Sequence, residues 1–122
     1  MTAPVSPLAG AKVVSAIDPS RVAINRGTAH GVRLGQRFLI YALGGEMTDP
    51  DTNESLGRIE IVRGTGKVTH VQEKLATLTS DRVRQRRVHT RMSFIHLGDS
   101  DETISEEVPF DEAERGDLAR PI

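Results

Sequence analysis

Asn25-Arg26-Gly27-Thr28-Ala29-His30-Gly31-Val32-Arg33-Leu34-Gly35-Gln36-Arg37-Phe38-Leu39-Ile40-Tyr41 is the stretch on which the fold turns. Gly27, Gly31 and Gly35 recur every four residues between two short apolar runs. That is the spacing of a backbone needing left-handed or tightly turned residues between strands. The run before it, Arg21-Val22-Ala23-Ile24-Asn25, sets Val22 and Ile24 on one face of a strand. The run after it alternates Phe38, Ile40 and Ala42 against Leu39, Tyr41 and Leu43, and apolar residues on both faces predict a strand inside a sheet. The glycine segment between them reads as the corner of a small β-barrel. It supplies no nucleophile, general base or ligand set.

Upstream, residues 1–11 carry Pro4, Pro7 and Gly10 and predict a flexible lead-in. Lys12-Val13-Val14-Ser15-Ala16-Ile17 is a short β-branched strand, and Asp18-Pro19-Ser20 turns it back into the Val22 strand as a hairpin. Downstream, Gly44-Gly45 is expected to end the strand that begins at Gln36, with residues 46–55 as a polar loop. Alternation resumes at Leu56 with Ile59 and Ile61 turned inward, and Gly64-Thr65-Gly66 reads as a hairpin turn. Val68 and Val71 stand three apart, which breaks the two-residue period as a β-bulge does, and residues 75–80 form a further strand. Val88, Thr90, Met92 and Phe94 alternate as a strand over 88–95, with a short amphipathic helix as the competing reading. Residues 98–107 have almost no apolar side chain and read as a mobile acidic loop. Val108, Phe110, Leu118 and Ile122 then return the tail to the barrel.

The expected fold class is all-β: a closed or partly open barrel of about six to seven short strands with a polar, partly disordered C-terminal extension. Its divisions are a lead-in at 1–11, the barrel at 12–97, the loop at 98–107 and the tail at 108–122. A chain of 122 residues, 37% of them hydrophobic, supports one such domain. The absence of cysteine excludes disulfides, zinc thiolate sites and thiol catalysis. Met-Thr-Ala-Pro-Val-Ser-Pro has neither a basic leader nor a long apolar run. A cytoplasmic chain without membrane insertion is therefore expected, or a periplasmic or envelope one if this is a piece of an exported protein.

The order Val22-x-Ile24-Asn25-x-Gly27, Gly31-Val32-x-x-Gly35, Phe38-x-Ile40-Tyr41, Asp49-Pro50-x-Thr52-x-Glu54-x-Leu56-Gly57 and Gly66-x-Val68-x-x-Val71 resembles small bacterial β-barrel domains. The nearest likeness is to the C-terminal domain of the flagellar assembly protein FlgT, and a looser one is to the barrel repeats of the cell-shape protein MreC. It spans roughly residues 12–80, with Gly116-Asp117-Leu118 as a closing segment. Every motif in it is a fold motif, so the resemblance implies a structural or assembly module without a cofactor, not an enzyme.

Several groups invite a chemical reading. Asp49, Asp51, Asn53 and Glu60 fall at ligand positions of a calcium loop, but Glu54 stands where that loop needs glycine and the flanks read as strands. A solvated hairpin loop opened by Asp49-Pro50 accounts for the same residues. His30, His70, His89 and His96 have no helical spacing and read as surface or hydrogen-bonded histidines. Charge is more informative. The net charge is −1, yet Arg82, Arg84, Arg86, Arg87 and Arg91 cluster ahead of an acidic block over 99–117. In an extended strand, Arg82, Arg84 and Arg86 would line one side about 7 Å apart, suiting a row of carboxylates or of phosphates.

Two functions follow. One is a non-enzymatic assembly module that binds protein, itself included, with the acidic block of one copy on the arginine row of the next. The other is a small-barrel nucleic-acid binder, with the arginines on phosphates and Phe94 or Tyr41 stacking a base. A solvated edge strand, charged against edge-to-edge pairing, explains the row as well.

Overall fold

A computed structural model of the chain describes residues 8–91 and 99–122. They are almost entirely extended: β1 (Val13–Asp18), β2 (Arg21–Ile24), β3 (Arg37–Thr48), β4 (Ser55–Val71), β5 (Ala76–Ser80), β6 (Val83–Arg91), β7 (Asp99–Glu107) and β8 (Leu118–Pro121), with one turn of 3-10 helix at Thr28–His30. The chain is all-β. Six strands form one antiparallel sheet in the order β1-β2-β5-β4-β3-β8, and β6 pairs only with β7 in a second, two-stranded sheet.

The large sheet does not close as a continuous ladder. Its two end strands meet at one bridge, Lys12 to Leu118. Around it the Val13 and Gly116 N–H groups donate to Asp117 O and Val13 O at 2.8 Å each, and Ala119 N–H donates to Ala11 O at 2.9 Å. In the core, Val13, Val22, Ile24, Val32, Phe38, Ile40, Val68 and Leu78 are all but sealed from solvent. Their alternation along β2, β3 and β5 is the two-residue period the sequence predicts.

The glycine corner is where it was expected, for a sharper reason than turn geometry alone. Thr28 and Ala29 N–H donate to Gln72 O and Glu73 O at 2.9 and 3.0 Å. A Cβ on Gly27 would stand 2.1 Å from Gln72 O, so only glycine lets the two backbones approach. Gly31 and Gly35 take left-handed φ of 84° and 82°. The bulge read from Val68 and Val71 is present as a register shift between Val68 and His70 on the β5 side.

Four expectations are corrected. Gly44-Gly45 does not end β3, which runs on to Thr48, because the extra residue is absorbed as a bulge between Leu43 and Glu46. Gly64-Thr65-Gly66 is not a turn but the middle of β4, opposite Ile40, Leu39 and Phe38 in turn. Its glycines make room for the Phe110 ring. Ile59 and Ile61 are not inward but 47% and 44% exposed. Residues 99–107 are not a loop but β7, paired along its whole length with β6.

At the termini, Leu8 packs against the core and Ala11 is buried within it, so this part of the lead-in is built into the domain. Residues 1–7 lie outside the described residues, as do Met92 to Ile95 of the strand expected at 88–95. Phe110 anchors the tail as predicted, Leu118 is half-buried, and Ile122 is 59% exposed. Among the described residues, no helix is long and apolar enough to cross a membrane.

Candidate interaction surfaces

The arginine row does not present five equivalent cations. Arg82 precedes β6 and folds down on the sheet, where its Nη2 lies 3.1 Å from the place of a Cβ on Gly64 and 3.8 Å from an Asp111 carboxylate oxygen. Its Nε is buried without a hydrogen-bond partner among the described residues. Arg84 stands opposite Glu106 and pairs with it at 3.6 Å. Arg86, Arg87 and Arg91 hold register positions opposite Ile104, Thr103 and Asp99, and His89 stands opposite Asp101. The basic and acidic blocks are thus the two strands of one antiparallel hairpin within a single chain. Opposite charges at facing positions favour that pairing.

The base of this hairpin is tied to the sheet. Val108 N–H donates to Arg82 O at 2.8 Å, and the Ser80 hydroxyl donates to Val108 O. Next to it, Arg37 Nε donates to Asp81 Oδ2 at 2.6 Å and Thr65 Oγ1 to Asp81 Oδ1 at 2.7 Å. Partial burial works against ionising Asp81, but the hydrogen bonds from Arg37 and Thr65 outweigh it and hold the carboxyl below the usual range. Asp18 is also lowered, by the Arg21 guanidinium and then by the Ser20 N–H.

The calcium pattern is not assembled. Asp49 closes its own turn, with its carboxylate accepting from Asp51 N–H at 2.8 Å, its N–H donating to Glu54 O and its O accepting from Asn53 N–H. Glu60 lies up β4, opposite Leu43, and pairs with Arg120 at 2.9 Å. Asp49, Asp51 and Asn53 therefore serve the hairpin turn, with Asn53 at a left-handed φ of 62°. Among the described residues no three His, Cys, Asp or Glu side chains gather as a metal site. His30 accepts the Gly27 N–H on Nδ1 at 3.0 Å, His70 is exposed on β4, and His96 lies outside the described residues. A shallow cleft of about 430 Å³ beside Pro19, Pro109 and Phe110 has Asp18 and Glu112 as its titratable groups. Asp18 is already held by Arg21 and Ser20 there.

The surface that sequence reading missed is the far half of the β3–β4 hairpin. β8 pairs with β3 only from Phe38 to Tyr41, and β5 pairs with β4 only from Gly66 to Val71. Beyond these, β3 and β4 pair with each other alone and form a two-stranded arm that ends in the Asp49 turn. One face of the arm continues the core-facing side of the sheet. From Phe38 and Ile40 it passes to Ala42 opposite Ile61, then to Ile59 lying over Gly44, then to Met47 opposite Gly57. Ile59, Ile61 and Met47 are each more than two-fifths exposed, and no charged residue falls on this stripe.

The other face of the arm is knit by polar contacts. Arg58 donates to Gly44 O and Leu43 O at 2.8 and 3.2 Å, Ser55 donates to Glu46, and Arg120 reaches Glu60 while its guanidinium sits 4.9 Å above the Tyr41 ring. One signal could have located the arm. The turn residues Asp49, Pro50 and Asn53 are stronger strand terminators than Gly44-Gly45, and Met47 past those glycines keeps the apolar alternation alive. No protein-family model and no curated protein matches this sequence.

Proposed function

We propose that this chain is a non-enzymatic structural or assembly module that acts by binding protein, beginning with itself. What carries the reading is the uncovered apolar stripe of the arm, the prolongation of the core side of the sheet past the last residue that covers it. Met47, Ile59 and Ile61 along this stripe are 43%, 47% and 44% exposed. Soluble monomers rarely leave a contiguous apolar patch of this kind open, and such patches mark interaction sites. A two-stranded hairpin is also only marginally stable in water by itself, so an arm of this length gains from a partner laid on it.

In this reading the six-stranded sheet is a partly open barrel, with the Lys12–Leu118 bridge as its seam. Its likeness to the FlgT C-terminal barrel and to MreC repeats is a likeness of assembly modules. The nucleic-acid alternative has less behind it, because Glu106 and Asp99 hold the register positions opposite Arg84 and Arg91, and Arg82 lies 3.8 Å from Asp111.

Sedimentation or light scattering from low micromolar to millimolar concentration tests the proposal. We expect a dimer or larger species that persists at high salt, since apolar contact is not screened. A monomer throughout that range would overturn it.

A further inference from the structure

We propose that the partner of the arm is a second copy of this chain, joined through the outer edge of β4 in an antiparallel pair about a two-fold axis at Ile59. This rests on the reading of the chain as a self-associating module and adds the surface, register and symmetry. From Ser55 to Val62 no strand among the described residues pairs with the outer edge of β4. An unpaired edge is a template for another strand.

The sequence of that edge is its own complement. In an isologous antiparallel pair centred on Ile59, Arg58 falls opposite Glu60 of the second copy, and Glu60 opposite its Arg58. Gly57 falls opposite Ile61 in the same way, and Ile59 meets itself on the axis. Facing positions in an antiparallel pair carry side chains on the same face of the sheet. The charged pairs therefore occupy one face, and both copies of Ile59 and Ile61 lie on the other, within the apolar stripe. Two marginal two-stranded arms become the halves of one four-stranded sheet with one continuous apolar side.

The β3 edge of the arm does not offer this. It is broken at its centre by the bulge between Leu43 and Glu46, whereas the extra residues of β4, Leu56 and Arg63, only flank its regular run from Gly57 to Val62; a two-fold at Gly45 would also put Glu46 opposite Gly44.

The test is charge reversal at the two self-facing positions. Arg58→Glu makes four carboxylates face one another in the pair, and Glu60→Arg makes four guanidinium groups do so. Each variant alone should dissociate at least about tenfold more readily than the parent protein. Mixed in equal amounts they should form a heterodimer of near-parental affinity, because the carboxylates of one then face the guanidinium groups of the other. Restoration on mixing also shows that both variants are folded. A parent dimer that neither substitution weakens would overturn this interface while leaving self-association standing, and weakening without restoration on mixing would overturn the register. A parent protein that is monomeric at every concentration would overturn both proposals.

Discussion

The Phe110 ring lies directly over Gly66, so that a Cβ built on the glycine would stand 2.9 Å from its Cζ and 3.0 Å from Thr79 O. Gly64, two residues earlier on the same face of β4, would meet the Cδ1 edge of the ring at 3.0 Å. The tail thus fills the core with an aromatic ring where the central strand has given up its side chains. Phe110 is 5% exposed, and its N–H donates to Pro19 O at 2.9 Å, which fixes the ring's approach. Phe110→Ala should cost about 3–4 kcal/mol in chemical denaturation. Gly66→Ala should cost at least 1 kcal/mol, of order the cost of overpacking a core. An unchanged midpoint for either would show that the tail is not part of the cooperative unit.

Gly27 makes a stricter demand, since the obstacle there is backbone. The carbonyls of Gln72 and Glu73 occupy the space a methyl group would need, and both accept hydrogen bonds from the short helical turn. Gly27→Ala should therefore detach the corner from the β4–β5 turn and destabilise the domain by about 2–3 kcal/mol. Gly31→Ala meets no atom within 4 Å and should cost less, about 1 kcal/mol for its left-handed φ. Equal losses in a pair of urea titrations would contradict this ordering.

The elements readable from sequence were those in which local pattern and tertiary environment agree. Val22 and Ile24, Phe38 and Ile40, and Ala76 and Leu78 alternate and are buried as alternation demands. Reading failed where glycine served packing rather than turning. Gly64 and Gly66 lie flat under Phe110, and Gly44 lies under Ile59, and no local signal separates those uses from a hairpin turn. It failed again at residues 99–107, whose polarity suggests a loop until the strand with complementary charge is set beside it. The arm was half legible. Ile59 and Ile61 were recognised as an apolar face, but a pattern of alternation cannot tell a face that meets the core from one that has run beyond it.

Asp81 makes the domain sensitive to acid. Its carboxyl is 11% exposed and held by Arg37 and Thr65, and its folded pKa lies below the unfolded value of about 3.9. A carboxyl of this kind stabilises the fold fully above the unfolded pKa, and the contribution disappears as pH falls through the lower folded one. Stability should therefore drop below about pH 4, and Asp81→Asn should flatten that part of the profile. At neutral pH the same substitution should cost about 1 kcal/mol, the low end for a charged hydrogen bond because Arg37 is half exposed. Thermal unfolding from about pH 2 to about pH 7, which spans the carboxylate region, checks both statements. An acid limb as steep in the variant as in the parent would assign it to other carboxylates.

The β6–β7 hairpin should be separable from the domain that carries it. Its strands pair only with each other, and the chain enters and leaves it at Arg82 and Val108, which are joined by their own backbone hydrogen bond of 2.8 Å. Below that point Ser80 holds Val108, so the two ends are positioned by the large sheet and not by the hairpin. Replacing residues 84–106 with Asn-Gly gives Val83 and Glu107 a two-residue connection that suits antiparallel strands. The shortened chain should keep its cooperative unfolding, with a midpoint within a few degrees of the parent, because it retains every core residue found among the described residues. It should also keep its self-association, which the apolar arm carries and the charged hairpin does not. If dimers vanish while the midpoint holds, the association belongs to the charged strands, and the arginine row regains the role that its pairing with β7 takes from it here.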